Sequence, residues 1–189
     1  MTRAVAFVSF SALLLCACNA ANSGSAEPGG DASHGATSQS WICGREYENF
    51  AWGYQRRGVV LDGDGRVWRY EFKGTPASLP NPWHAKDLGA LTEEELRQRY
   101  NGAVDTGKRV SADDIAQHMV LIHDAARASP TTPRNAGADM GTYMLYCFER
   151  NAAGATYRQV LIDQKGDFES TNPSSAAKAL AAWLDGILK

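Results

Sequence analysis

His84 directly follows Trp83 in a Pro/Gly-rich stretch running from Gly74 to Ala90. An imidazole that titrates near neutrality, beside a ring that can stack, suits ligand contact or proton transfer; a loop carboxylate such as Asp139 would complete an acid–base pair. The plainer role for Trp83 is an aromatic plug that pins a long loop to the core. Trp83 and His84 are thus the ligand-binding candidates, and no residue is assigned to catalysis. Asp114 and His118 stand four apart, so on a helix they share a face and supply two metal ligands. No His/Cys cluster supplies a third, so a polar helix face accounts for them and no metal is expected. Asp62-Gly63-Asp64-Gly65 opens like a calcium loop, but the twelfth position, where a bidentate Glu is needed, holds Lys73. Gly102 through Gly107-Lys108 copies most of a P-loop, yet Arg109 occupies the Ser/Thr position and a helix precedes it where a strand is required. The sequence contains no Gly-x-Ser-x-Gly, His-Glu-x-x-His, Cys-x-x-Cys or dinucleotide fingerprint. No cofactor is implied. Whether the protein is an enzyme stays open, with a non-catalytic role favoured.

The elements around these residues follow from pattern. Phe50, Trp52 and Tyr54 alternate, as do Trp68, Tyr70 and Phe72, with Arg69, Glu71 and Lys73 on the other side; this is the period of half-buried strands. Val59-Val60-Leu61 followed by Asp-Gly-Asp-Gly predicts a hairpin turn. Thr92 with Glu95, and Ser111 with Asp114, predict two helix N-termini of the capping-box type, with Leu91/Leu96 and Val110/Ile115 as hydrophobic staples. The first helix stops near Asn101-Gly102; the second carries Ile115, Met119, Ile122 and Ala126 on one face and ends before Pro130. Thr142–Phe148 is apolar on both faces, as a central strand should be, and Tyr157–Ile162 returns from it. A further turn leads to a short strand, Phe168–Ser170. Asn172 is expected to cap the last helix with Pro173 in its first position, burying Ala177, Leu180, Leu184 and Ile187. Strands on both sides of a helix pair predict an α+β domain: a mainly antiparallel sheet of about five to six strands with three helices.

The amino terminus has its own logic. Arg3 precedes an apolar run from Ala4 to Ala17, too short for a bilayer span of about 20 residues but the length of a signal-peptide core. Its end, Leu15-Cys16-Ala17-Cys18, resembles the lipobox of bacterial lipoproteins. That resemblance covers residues 1–18 and implies cleavage after Ala17, with a diacylglycerol and a further acyl chain such as palmitate on Cys18. Ordinary cleavage after Ala20 or Ala21 is the alternative. Two or more chains anchor stably where one does not, so the implied address is the cell envelope. Asn19 is not the aspartate associated with inner-membrane retention, which favours the outer membrane, facing the periplasm or the surface. Residues 18–40 would be the lipidated cysteine and a flexible tether, for Asn19–Ser40 has no aromatic or branched aliphatic residue to bury. His34 lies in it with no further ligand nearby. A random coil of that length reaches roughly 25 Å.

The remaining residues, 41–189, are enough for one domain. With signal peptide and lipid accounting for Cys16 and Cys18, Cys43 and Cys147 are left, and in an oxidising compartment such a pair reads as a disulfide. It would bring the first hairpin and the late strands into one sheet or two packed layers. The domain carries 18 basic and 19 acidic residues, once Arg3, Glu27 and Asp31 are set aside, with no basic stripe. Nucleic acid is therefore disfavoured as a partner. Beyond the lipobox, the domain is broadly similar to bacterial envelope lipoproteins that supply no activity to carry over. The expectation is a lipid-anchored envelope module binding an envelope protein or a cell-wall ligand, since 9 of the 18 aromatics lie between Trp41 and Trp83. A peptidoglycan-modifying hydrolase using His84 and a tethered inhibitor of a lysozyme-type hydrolase are the alternatives. The second needs a protruding loop, 74–90 or 130–141.

Overall fold

The computed structural model describes residues 41–51, 53–74, 88–154 and 156–189. The expected signal peptide and tether, Cys18, Trp52, Trp83 and His84 lie outside the described residues. Among the described residues eleven elements follow in order: β1 (Trp41–Asn49), β2 (Tyr54–Asp62), β3 (Arg66–Gly74), α1 (Glu93–Arg99), β4 (Val104–Arg109), α2 (Ala112–Ala126), β5 (Arg134–Asn135), β6 (Thr142–Arg150), β7 (Tyr157–Gly166), β8 (Phe168–Thr171) and α3 (Ser175–Ile187). The class is α+β with three helices, as the patterns predict, but the sheet has eight strands instead of five to six. Its order is β4-β3-β2-β1-β6-β7-β8-β5, and every pairing is antiparallel. The additional strands are those with little apolar periodicity: β1, the exposed edge strand β4, and the two-residue β5.

Cys43 and Cys147 are cross-strand partners in the two middle strands and form a disulfide. The early hairpin and the late strands thus share one sheet. Cross-strand partners point to the same face, so register sorts the side chains into rows. On one face Val67, Leu61, Cys43, Cys147 and Val160 form a row. The apolar sides of α2 and α3, including Ile115, Ile122, Leu180 and Leu184, close over this row as the larger core. On the opposite face Val60, Tyr146 and Phe148 pack against Leu91, Leu96 and Tyr100, the contribution of α1 and its lead-in. A two-way backbone bridge between Leu91 and Tyr157 seats that lead-in on β7.

Local grammar is read well in three places. Asp62 clamps the β2–β3 turn, one carboxylate oxygen accepting from the amides of Asp64 (3.0 Å) and Arg66 (2.8 Å) and the other from Trp68 Nε1 (2.7 Å). Thr92 and Glu95 close the capping box of α1 in both directions. Ser111 caps α2, but Asp114 does not return to the cap; its carboxylate turns to Trp183 and His118. The cap of α3 is Ser174, not Asn172. Asn172 is buried, its side-chain amide donating to the Ala125 carbonyl at 2.9 Å and its oxygen accepting from the Ser174 amide at 3.1 Å, which ties the start of α3 to the end of α2. Phe50, expected inside a strand, lies in the link between β1 and β2, with its ring against Tyr54.

Candidate functional site

α2 and α3 cover only part of the sheet face they pack on. Two residues along each strand from the disulfide row, or three on β7 where the register shifts, lies a border row, Arg69–Val59–Arg45–Leu145–Asp163, where Arg45 pairs with Asp185 near the end of α3. Two residues further comes an open row, Glu71–Arg57–Tyr47–Tyr143–Lys165. Tyr47 and Tyr143 lie together with ring centroids 4.7 Å apart, and the Arg57 guanidinium sits 4.4 Å above the Tyr47 ring. Tyr143 is 53% exposed. The two rows frame a cleft of about 260 Å³. Lys73 holds Glu71, Asp163 holds Lys165 and Asp185 holds Arg45. Arg57 and Arg69 form no ion pair within 4 Å among the described residues, although Glu71 stands directly across from Arg57 and shares its charge with Lys73. The surface is an aromatic floor with two cations that no acid holds in direct contact.

The reverse face of the same strands is the opposite in character. Glu46 faces inward between Gly58 and Met144, with Tyr70 beyond Gly58, and Arg99 reaches it from α1. Its carboxylate is buried and accepts from Arg99, from the Tyr70 hydroxyl (2.5 Å) and from the Tyr146 hydroxyl (3.4 Å), with Arg56 Nε at 4.0 Å. Tyr100 and Tyr146 join their hydroxyls at 2.9 Å, and Arg56 donates to the Arg99 carbonyl. Burial would pull the Arg99 guanidinium down, but Glu46 and the surrounding tyrosines outweigh it and hold it above its ordinary value. Burial pushes the Tyr70, Tyr100 and Tyr146 hydroxyls up. Two glycines make room for the rings. A Cβ at Gly44 would lie 2.9 Å from the Tyr146 hydroxyl, and one at Gly58 would lie 2.6 Å from the Tyr70 hydroxyl and strike the Arg45 carbonyl.

Glu48 is the second acid of this face. Burial pushes its carboxyl up, opposed by the Tyr54 hydroxyl that donates to it at 2.5 Å. The native state therefore binds this proton more tightly than the unfolded chain, whose carboxyl titrates near about 4.3, and stability falls as pH rises through the interval between the two values. Glu48→Gln keeps an acceptor for Tyr54 and removes the titration. The variant is expected to be more stable than the parent at neutral pH, with the advantage shrinking as pH drops below the unfolded carboxyl range. Urea denaturation of both proteins at neutral and acid pH checks it, and equal midpoint shifts at the two pH values would contradict it.

The other sequence candidates are engaged locally. The His118 ring stacks on Trp183 with centroids 4.1 Å apart, and Asp114 bridges the two, accepting from Trp183 Nε1 at 3.0 Å and lying 3.2 Å from His118 Nδ1. His123, five residues from His118 and so not on its helix face, contacts Glu149 through Nδ1 at 2.6 Å, while Arg127 donates to its Nε2 at 2.9 Å. That leaves neither ring nitrogen open to a substrate. Among the described residues no group of three or more His, Cys, Asp or Glu side chains could hold a metal ion. Asp139 has a left-handed backbone (φ 62°), and its carbonyl accepts from Asn49; its proposed partner His84 lies outside the described residues. The P-loop-like stretch is the edge strand β4, where the left-handed Gly107 (φ 81°) bonds its amide to Asp105. The 130–141 stretch is largely exposed but pinned to β8 and its approach, with Asp167 accepting from the Met140 and Gly141 amides at 2.9 and 3.1 Å. Comparison of the chain with known protein families, curated proteins and solved structures finds no match.

Proposed function

We propose that the protein is a lipid-anchored component of the bacterial cell envelope, held through Cys18, whose domain binds a partner and does not transform a substrate. The lipobox resemblance supports the address. The observation that carries the binding role is the open row: Tyr47 and Tyr143 form a solvent-facing aromatic floor beside Arg57 and Arg69, neither of which is ion-paired with a described acid within 4 Å. A guanidinium over an aromatic ring is an anion receptor whose apolar base also rewards burial. The partner is thus an envelope protein or cell-wall polymer bearing carboxylates or phosphates, and salt should weaken its binding.

The test places a photo-crosslinking phenylalanine analogue at position 143 in cells. A discrete adduct is expected, and Arg57→Ala/Arg69→Ala should abolish it while leaving thermal stability unchanged. No adduct, or one indifferent to both arginines, overturns the binding role. In the same cells Cys18→Ser should move the protein from the membrane to the soluble fraction; retention in the membrane overturns the anchor.

A further inference from the structure

The edge of the sheet beside this face is unfinished. β4 pairs with β3 only at Arg66, Trp68 and Arg69. Tyr70, Glu71, Phe72, Lys73 and Gly74 continue past the start of β4 as regular strand, paired with β2 on one side and with no described strand on the other. A furrow of about 490 Å³ runs between Arg69–Glu71 and the start of β4, with Val104 67% exposed at its rim, and further along Glu71, Lys73 and Gly74 are exposed with no described residue paired to their outer edge. An uncovered strand edge offers a row of unpaired backbone donors and acceptors and recruits another strand unless something opposes it.

The sequence of this edge indicates which strand fits. Pair Tyr70–Gly74 antiparallel with a copy of itself about Phe72, and Glu71 falls opposite Lys73 of the copy, Lys73 opposite Glu71, and Phe72 opposite Phe72. Every charge meets its opposite on one face and an aromatic pair forms on the other, both favourable cross-strand combinations. Within one chain Glu71 and Lys73 already pair at 2.8 Å, but both side chains are more than half exposed. Such a surface bridge contributes little, so exchanging it for the same bridge across a dimer costs little. We infer that the free half of β3 is a homodimer interface, joining two copies edge to edge into one sixteen-stranded antiparallel sheet. The two-fold axis stands perpendicular to the sheet, so the open rows of both copies face the same way.

Sedimentation of the purified protein over a micromolar-to-millimolar range tests this directly. A monomer–dimer equilibrium is expected. Glu71→Lys and Lys73→Glu each set like charges opposite one another twice, by symmetry, and should weaken the dimer by about tenfold or more. Combining Glu71→Lys with Lys73→Glu restores the opposite-charge pattern and should restore the dimer. All three variants change exposed side chains, and circular dichroism melts confirm that they fold. A monomer at every concentration, a dimer insensitive to the single reversals, or a double variant that fails to recover overturns the interface. None of these results bears on the position-143 adduct, so the two proposals stand or fall separately.

Discussion

Glu46→Gln is expected to destabilise the domain by about 3–5 kcal/mol, the usual loss when one partner of a buried ion pair is removed and its counter-charge is stranded. Arg99 is the group that loses its carboxylate. Its guanidinium is buried against Glu46, and Arg56 Nε lies 4.0 Å from the same carboxylate. The Tyr70 and Tyr146 hydroxyls lose a charged acceptor at the same time. For a domain of ordinary stability, about 5–15 kcal/mol, this is a large fraction. Urea unfolding measures it, and a loss under about 1 kcal/mol would mean that water reaches the cluster. A double-mutant cycle sharpens the test: Arg99→Met alone should also cost heavily, whereas Glu46→Gln/Arg99→Met should cost clearly less than the sum, because the Arg99 charge leaves with its carboxylate and only Arg56, 4.0 Å from that carboxylate, loses a counter-charge.

Replacing Cys43 and Cys147 by Ala should cost up to about 4.7 kcal/mol, the chain-entropy value for closing a loop of about 100 residues; these cysteines are 104 apart in sequence. Both are fully buried beneath α2 and α3. The native protein should therefore resist dithiothreitol and release two thiols only when denaturant lifts the helices, which thiol titration against urea concentration follows. Rapid reduction of the folded protein would show that the helical layer opens on its own.

Much of this architecture is written locally. The caps at Thr92 and Ser111, the Asp62 turn and the doubly apolar strand around Cys147 depend on neighbours a few residues away, so sequence displays them. β1 is hidden for a physical reason. Its one face carries Arg45 and Tyr47, half open to water, and its other buries Glu46 and half-buries Glu48, so polar residues fall on both sides and no period-two signal survives. The Glu46–Arg99 pair spans 53 residues and is brought together only by the crossing of α1 over the sheet. Asn172 is not the cap because its side-chain oxygen takes the Ser174 amide while its NH2 is tied to the Ala125 carbonyl, leaving Ser174 to accept from Ala177. The open row is spread over five strands and exists only through register.

The two ends of β1 lie in different surroundings. Trp41 begins the strand at the helix-covered end of the sheet, and Tyr47 lies six residues further along, about 20 Å away at the usual strand rise. A partner seated on the tyrosine–arginine row therefore grips the far end of a strand whose near end is stapled by the disulfide beneath α2 and α3, so it can load the sheet without disturbing the larger core.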